Sequence, residues 1–194
     1  METGRFDTGR GDRLNNPERI KELRPLQVIK EVAGVKTGMT CVDFGSGTGV
    51  FAFPMAEIVG AGGLVYAIDS SADMLQSIQA KNPPSNLKLV ETDATRTGLT
   101  DECADLCLCV LILHEVDSPE RVILEARRVL KPGGKIVIIE WKMDSDWGPP
   151  RSIRLSREKI ELILKQAGIG FDRFIDWSNT CCIVTGKKYM SPAI

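Results

Sequence analysis

The stretch Val42-Asp43-Phe44-Gly45-Ser46-Gly47-Thr48-Gly49 decides how this chain is read. An apolar run, Met39 to Phe44, leads into it, and Val50 to Val59 beyond it has the pattern of a helix. Strand, tight glycine turn and helix in that order form a nucleotide-binding elbow. Glycine lets the backbone approach a ligand where a Cβ would collide, and the first helical amides then point at that ligand. The same residues also suit a plain strand-to-helix turn that binds nothing. A dinucleotide loop reads G-x-G-x-x-G; here the glycines alternate behind an acid, and Val50 stands where a third dinucleotide glycine would fall.

Downstream of the loop, Leu64 to Ile68 reads as a second strand ending in Asp69. The Asp43–Asp69 separation suits a βαβ unit, and a carboxylate at that strand tip can accept from both hydroxyls of a ribose. The alternative is a helix cap, a task open to Ser70 or Ser71 as well. Ser71 to Ala80 reads as a helix, and Leu87 to Val90 as a third strand running into Glu91-Thr92-Asp93-Ala94, where Asp93 can simply form a turn. Asp105 to Leu113 is a fourth strand, apolar throughout as in a central parallel strand. His114-Glu115 follows at its carboxyl end, where doubly wound sheets gather ligands.

Asp117-Ser118-Pro119-Glu120 opens a helix with a buried stripe of Val122, Ile123, Ala126, Val129 and Leu130. Lys135 to Ile139 is a fifth strand, closed by Glu140-Trp141. Met143 to Arg154, with Gly148-Pro149-Pro150, is a polar loop of the kind that carries substrate contacts. Ser156 caps a helix ended by Gly168, and Phe171–Trp177 and Cys181–Thr185 form a strand pair across Ser178-Asn179-Thr180. Near the start, Asn16-Pro17-Glu18 begins a short helix that stops before Pro25, and Leu26 to Ala33 forms another ended by Gly34. These leading helices either cover a ligand pocket or simply pack.

The acid-x-G-x-G-x-G arrangement of Asp43, Gly45, Gly47 and Gly49 resembles the first motif of the class I S-adenosylmethionine-dependent methyltransferases. Further tracts carry the same resemblance: Asp69-Ser70 followed by Met74-Leu75, the acid Asp93 past the third strand, Leu130-Lys131-Pro132-Gly133-Gly134 before the fifth strand, and the closing strand pair. The resemblance implies an α/β, doubly wound, Rossmann-like fold: a mostly parallel seven-stranded sheet with an antiparallel last strand and helices on both faces. It divides the chain into a tail and capping helices over 1–35, a cofactor-binding domain over 36–188 and a tail over 189–194. Within the family, the ubiquinone/menaquinone-biosynthesis-like and arsenite-methyltransferase-like groups look most similar. The arsenite enzymes rely on a set of cysteines, whereas the cysteines here fall mostly in strands.

The cofactor so implied is S-adenosyl-L-methionine, with S-adenosyl-L-homocysteine as product. By the same resemblance Gly45, Ser46, Gly47 and Gly49 cradle its amino-acid end, and Asp43 behind them reaches its ammonium directly or through water. Asp69, with Ser70, holds the ribose, Met74 packs on the adenine, Asp93 and Ala94 read the adenine, and Val110 leads past the methionine. Met74 at helical spacing reads equally as core. His114 is the only histidine and stands where the methyl should lie, either as a proton acceptor or as a structural wall, with Glu115 as a second candidate.

Composition narrows the partners. A net charge of −1 over 194 residues argues against nucleic-acid binding through bulk charge. The longest apolar run is too short to span a bilayer, and Met1 to Arg13 lacks the apolar core of a secretory signal. Six cysteines without a C-x-x-C and a single histidine argue against a zinc site and for reduced thiols in a cytoplasmic protein. Cys181 and Cys182 leave open the binding of a soft element such as arsenic. The expected activity is methyl transfer to a small-molecule acceptor. The alternatives are a nicotinamide-dependent oxidoreductase and a non-catalytic cofactor-binding module.

Overall fold

The computed structural model describes residues 14–190. The reading of Met1 to Arg13 and most of the tail expected over 189–194 therefore fall outside the described residues.

Seven strands make one sheet: β1 (Thr40–Phe44), β2 (Leu64–Asp69), β3 (Leu87–Glu91), β4 (Ala104–Val110), β5 (Leu130–Trp141), β6 (Ile169–Asp176) and β7 (Cys181–Lys188). Their order is β3-β2-β1-β4-β5-β7-β6. β1 through β5 run parallel, while β7 pairs antiparallel with both β5 and β6. The order reverses between β1 and β4, and that switch point opens a crevice at the strands' carboxyl ends. The doubly wound sheet read from the motif order is the fold observed.

Helices cover both faces because the parallel strands are apolar on both. On one face lie α1 (Pro17–Leu23), α2 (Pro25–Gln27, continuing as a π-helix over Val28–Ala33), α3 (Ala52–Val59) and α4 (Ala72–Gln79). Leu23, Ile29, Met55, Val59 and Ile78 pack there against Cys41, Leu106 and Leu108. On the other face α5 (Pro119–Val129) and α6 (Arg157–Gln166) bury Val122, Ile123, Ala126, Ile160, Ile163 and Leu164 against Val42, Phe44, Cys107 and Ile138. Asn16 caps α1 as its type suggests, its Oδ1 accepting from Glu18 N at 2.8 Å. Ser71 and Ser156 likewise cap α4 and α6, whereas Ser118 makes no side-chain cap bond at α5.

Several boundaries differ from the sequence reading. The run expected as a helix from Leu26 to Ala33 winds as a π-helix over most of its length and ends at Gly34. β5 extends back through Leu130-Lys131-Pro132-Gly133-Gly134, with a shift in its register on β4 between Ala104 and Leu106. β7 continues to Lys188, three residues past the expected Thr185. β4 stops at Val110 instead of Leu113, because Leu111 turns to φ +54 and leaves the sheet direction. A left-handed leucine is rare enough that no pattern of side chains announces it.

Candidate active site

The carboxyl ends of the parallel strands open on one cleft of about 1490 Å³. The glycine loop after β1, the tips of β2 and β3, the turn after β4, Trp141 of β5 and the start of β7 line it, with α1 along one side.

The glycine loop turns on residues at positive φ, Gly45 at +67, Gly47 at +53 and Gly49 at +84. Two amides fix it to β2: Ser46 N–H donates to Ile68 O at 2.8 Å, and Gly47 N–H donates to Asp69 Oδ2, also at 2.8 Å. Ser71 N–H donates to Asp69 Oδ1 at 2.9 Å. Asp69 is thus held by one amide on each oxygen. A carboxylate has about four acceptor positions, so each oxygen keeps one for an incoming hydroxyl.

Asp43 is 2% exposed behind the loop. Its Oδ2 and the Ser46 Oγ are buried without a hydrogen-bond partner among the described residues. Burial, and the charge of Asp69 beside it, push the Asp43 carboxyl from its ordinary 3.8 up to about 8. Orphaned buried oxygens next to a bare glycine backbone suit a ligand that brings its own donors and positive charge. The amino-acid end of S-adenosylmethionine has that character, so the residues present fit this cofactor.

Ser70, Met74, Asp93, Ala94 and Val110 also face the cleft. Met74 is buried yet belongs to neither core cluster, which separates it from its neighbour Leu75. Asp93 does form the turn that its residue type suggests, Thr95 N–H donating to Oδ1 at 2.7 Å, and those bonds to Thr95 hold its carboxyl below the usual range. The turn and the cleft share that one side chain. Gly49 is the exception to the expected set, since it does not line the cleft. A Cβ there would lie 2.9 Å from Phe53 and 3.1 Å from Ile78, so this glycine serves the packing of the loop on α3 and α4.

At the other end of the cleft, His114 Nδ1 lies 2.7 Å from Glu140 Oε2. Glu140 is 1% exposed, and its oxygens accept from Leu113 N at 2.9 Å and Trp141 N at 3.3 Å. With two amides already donating to it, Glu140 serves as acceptor, so this network assigns the hydrogen to Nδ1. The lone pair is then on Nε2, which lies 3.7 Å from Glu115 Oε1. The Leu111 turn makes this possible: Leu111 N–H stays on Ile139 O at 2.8 Å while the chain beyond it swings onto Glu140. Glu140 is the functional candidate that sequence reasoning passed over. Its only signal was an acid closing an apolar strand. Trp141, Trp147 and Thr180 complete this side of the cleft.

The cysteines do not assemble. Among the described residues no group of three or more His, Cys, Asp or Glu side chains is placed to hold a metal. Burial raises the Cys181 and Cys182 thiols, Cys182 to about 12, which disfavours the thiolate that a soft element requires. Among the described residues no helix is long and apolar enough to cross a membrane.

A doubly wound sheet with a bare glycine loop, an amide-held acid on β2 and a buried imidazole–carboxylate pair beyond β4 suits a nucleoside-cofactor group-transfer enzyme. Comparison gives the family. A profile described as a methyltransferase domain matches residues 42–138. A S-adenosylmethionine-dependent methyltransferase from Aquifex aeolicus is 31% identical, superposes with a TM-score of 0.87, and covers 95% of this chain and 100% of its own. The chain is also 34% identical over 138 residues to 2-phytyl-1,4-naphtoquinone methyltransferase of Trichormus variabilis, covering 67% of this chain and 59% of that protein. It is 36% identical over 133 residues to demethylmenaquinone methyltransferase of Staphylococcus aureus, covering 66% of this chain and 54% of that one. The chain therefore spans little more than half the length of these two relatives. It belongs to the S-adenosylmethionine-dependent methyltransferases, with S-adenosylmethionine as cofactor. None of these relatives supports the oxidoreductase alternative.

Proposed function

We propose that this protein transfers the methyl group of S-adenosylmethionine to a small aromatic acceptor that carries an ionisable hydroxyl, of the hydroquinone kind. The observation that carries this reading is the His114–Glu140 pair, buried in the wall of the same cleft as the glycine loop. The names of two relatives, a 2-phytyl-1,4-naphtoquinone methyltransferase and a demethylmenaquinone methyltransferase, support this acceptor class.

Gly45, Ser46 and Gly47 receive the amino-acid end of the cofactor, Asp43 its ammonium, Asp69 its ribose hydroxyls, and Met74, Asp93 and Ala94 its adenine. When bound, the cofactor supplies a methyl already activated on a sulfonium. The remaining work is positioning and one proton. Holding donor and acceptor at near-attack distance is worth effective molarities of about 10⁵ to 10⁸ M. His114 Nε2 takes the acceptor's hydroxyl proton, and the oxygen lone pair would push electron density onto the ring carbon, which would form the new C–CH₃ bond as the S–CH₃ bond breaks and its electron pair stays on sulfur, leaving S-adenosylhomocysteine. The hydrogen on that carbon leaves as a proton to solvent and restores the ring. Glu140 holds the imidazole in the required tautomer and faces the positive charge that His114 gains.

Labelled methyl transfer to a chemically reduced naphthoquinone with an open ring position tests this. The expected product carries one additional methyl on carbon. Transfer to nitrogen or oxygen acceptors with none to hydroquinones would reject the acceptor class.

A further inference from the structure

The loop between β5 and α6 forms the outer lip of the cleft through Trp147, Gly148 and Pro149. Its construction is unusual for a surface loop. Arg154 is buried at 9% exposure, and four of the five N–H groups of its guanidinium donate to backbone carbonyls. Nε donates to Pro149 O at 2.9 Å, Nη1 to Lys142 O at 2.7 Å and Ser145 O at 2.8 Å, and Nη2 to Trp147 O at 3.0 Å. Ser145 Oγ donates to the same Trp147 oxygen at 3.0 Å and accepts from Trp147 N at 3.1 Å. Gly148 lies against Trp141, where a Cβ would come within 2.8 Å of the indole ring, and its φ of +113 excludes most other residues.

All this fixes the backbone of a residue whose side chain is left in solvent, since Trp147 is 77% exposed. Ordering a loop costs conformational entropy, and an indole facing water returns no burial for it. The arrangement makes sense where the indole is covered only when a ligand enters. We infer that Trp147 is the specificity-determining wall for a planar apolar acceptor, and that Arg154 is the residue positioning it. The inference deepens the proposed function and rests on it for the acceptor class. Arginine is required because its planar fork reaches several carbonyls at once, whereas the lysine ammonium presents a single donor centre.

An oxidised quinone has no hydroxyl to ionise, and S-adenosylhomocysteine has no methyl to give, so binding of such a ring is read apart from its methylation. Binding of 2-methyl-1,4-naphthoquinone to the protein saturated with S-adenosylhomocysteine is measured by calorimetry. Trp147→Ala weakens it by about 10-fold or more, and leaves S-adenosylhomocysteine affinity within about 2-fold. Arg154→Met does the same, and Arg154→Lys restores little. With an active acceptor, both changes raise KM and leave kcat at saturation nearly unchanged, a split that general unfolding does not produce. Should Arg154→Met fail to fold, Gly148→Ala displaces the same lip from Trp141 and is expected to weaken probe binding alike. Unchanged probe affinity in Trp147→Ala overturns the inference, as does a wild-type protein that does not bind the probe. Probe binding lost in Trp147→Ala, with no hydroquinone methylated by the wild type, leaves the wall standing and removes the acceptor proposal.

Discussion

His114 and Glu140 lie 26 residues apart in sequence and meet at 2.7 Å, Nδ1 to Oε2, in the wall of the cleft. Strand pairing brings them together: β4 and β5 run side by side, with Val110 opposite Ile139, and the Leu111 turn then carries the chain over the end of β5. A carboxylate that two amides and an imidazole all address has no freedom to turn away.

Glu140→Gln keeps the shape of this contact and removes its sense. The amide presents a donor group where an acceptor is needed, so Nδ1 loses its fixed hydrogen and Nε2 its free lone pair. Turnover is expected to fall by about 10²-fold or more, the scale of general-base contributions. His114→Ala is expected to fall as far, with cofactor affinity within a few-fold of wild type in both. Single-turnover transfer with labelled cofactor, next to calorimetric binding, checks this; full turnover in His114→Ala would leave that residue as a wall only.

Asp69 joins the glycine loop to β2 through Gly47 and the following helix through Ser71. Asp69→Asn turns one of its oxygens into a donor facing an amide donor. Bonds to a charged acceptor are worth about 1.5–3 kcal/mol each, so S-adenosylhomocysteine affinity should drop by about 10- to 100-fold. Titration calorimetry measures it directly. An affinity equal to wild type would exclude a ribose role for this carboxylate.

Gly49 separates motif from contact. It completes the glycine spacing, yet it packs on Phe53 and Ile78 and does not face the cleft. Gly49→Ala puts a Cβ into that packing at φ +84. The strain of a left-handed alanine is about 1–2 kcal/mol, before any clash. For a chain of this size that lowers Tm by roughly 2–8 °C, with the folded fraction binding the cofactor nearly as before. Thermal melts with and without S-adenosylhomocysteine distinguish this from a binding defect, in which the free protein's Tm would stay put and the ligand-induced rise would vanish.

How far the sequence carries can be seen from such residues. Alternating glycines, apolar runs and proline-marked helix starts are local signals, so their pattern alone puts Asp43, Asp69 and Asp93 near strand tips. Glu140 escapes that logic, because its partner arrives from a neighbouring strand through a left-handed leucine. Arg154 reads in sequence as one more charge in a polar loop, and only the fold shows it buried among carbonyls. The π-helix over Val28–Ala33 keeps its apolar residues facing the core, so periodicity alone does not reveal the wider winding.

Asp43 ties the stability of the protein to pH. Unfolded, the carboxyl ionises near 3.8; folded, burial and Asp69 keep its proton to about 8. A pKa raised by folding means that the contribution of this group to stability is complete below about pH 4, declines as pH rises, and levels off above about pH 8. The slope is at most about 1.4 kcal/mol per pH unit. Asp43→Asn has no such term, so its stability without ligand should gain on wild type steadily across that window. Urea unfolding of both proteins from acid to mildly alkaline pH measures the difference, and parallel curves would mean that Asp43 is not the proton carrier. In the proposed pairing, the cofactor's ammonium would reverse the preference by stabilising the carboxylate. Binding at neutral pH should therefore release a proton in wild type and none in Asp43→Asn, which calorimetry in buffers of different ionisation enthalpy will count.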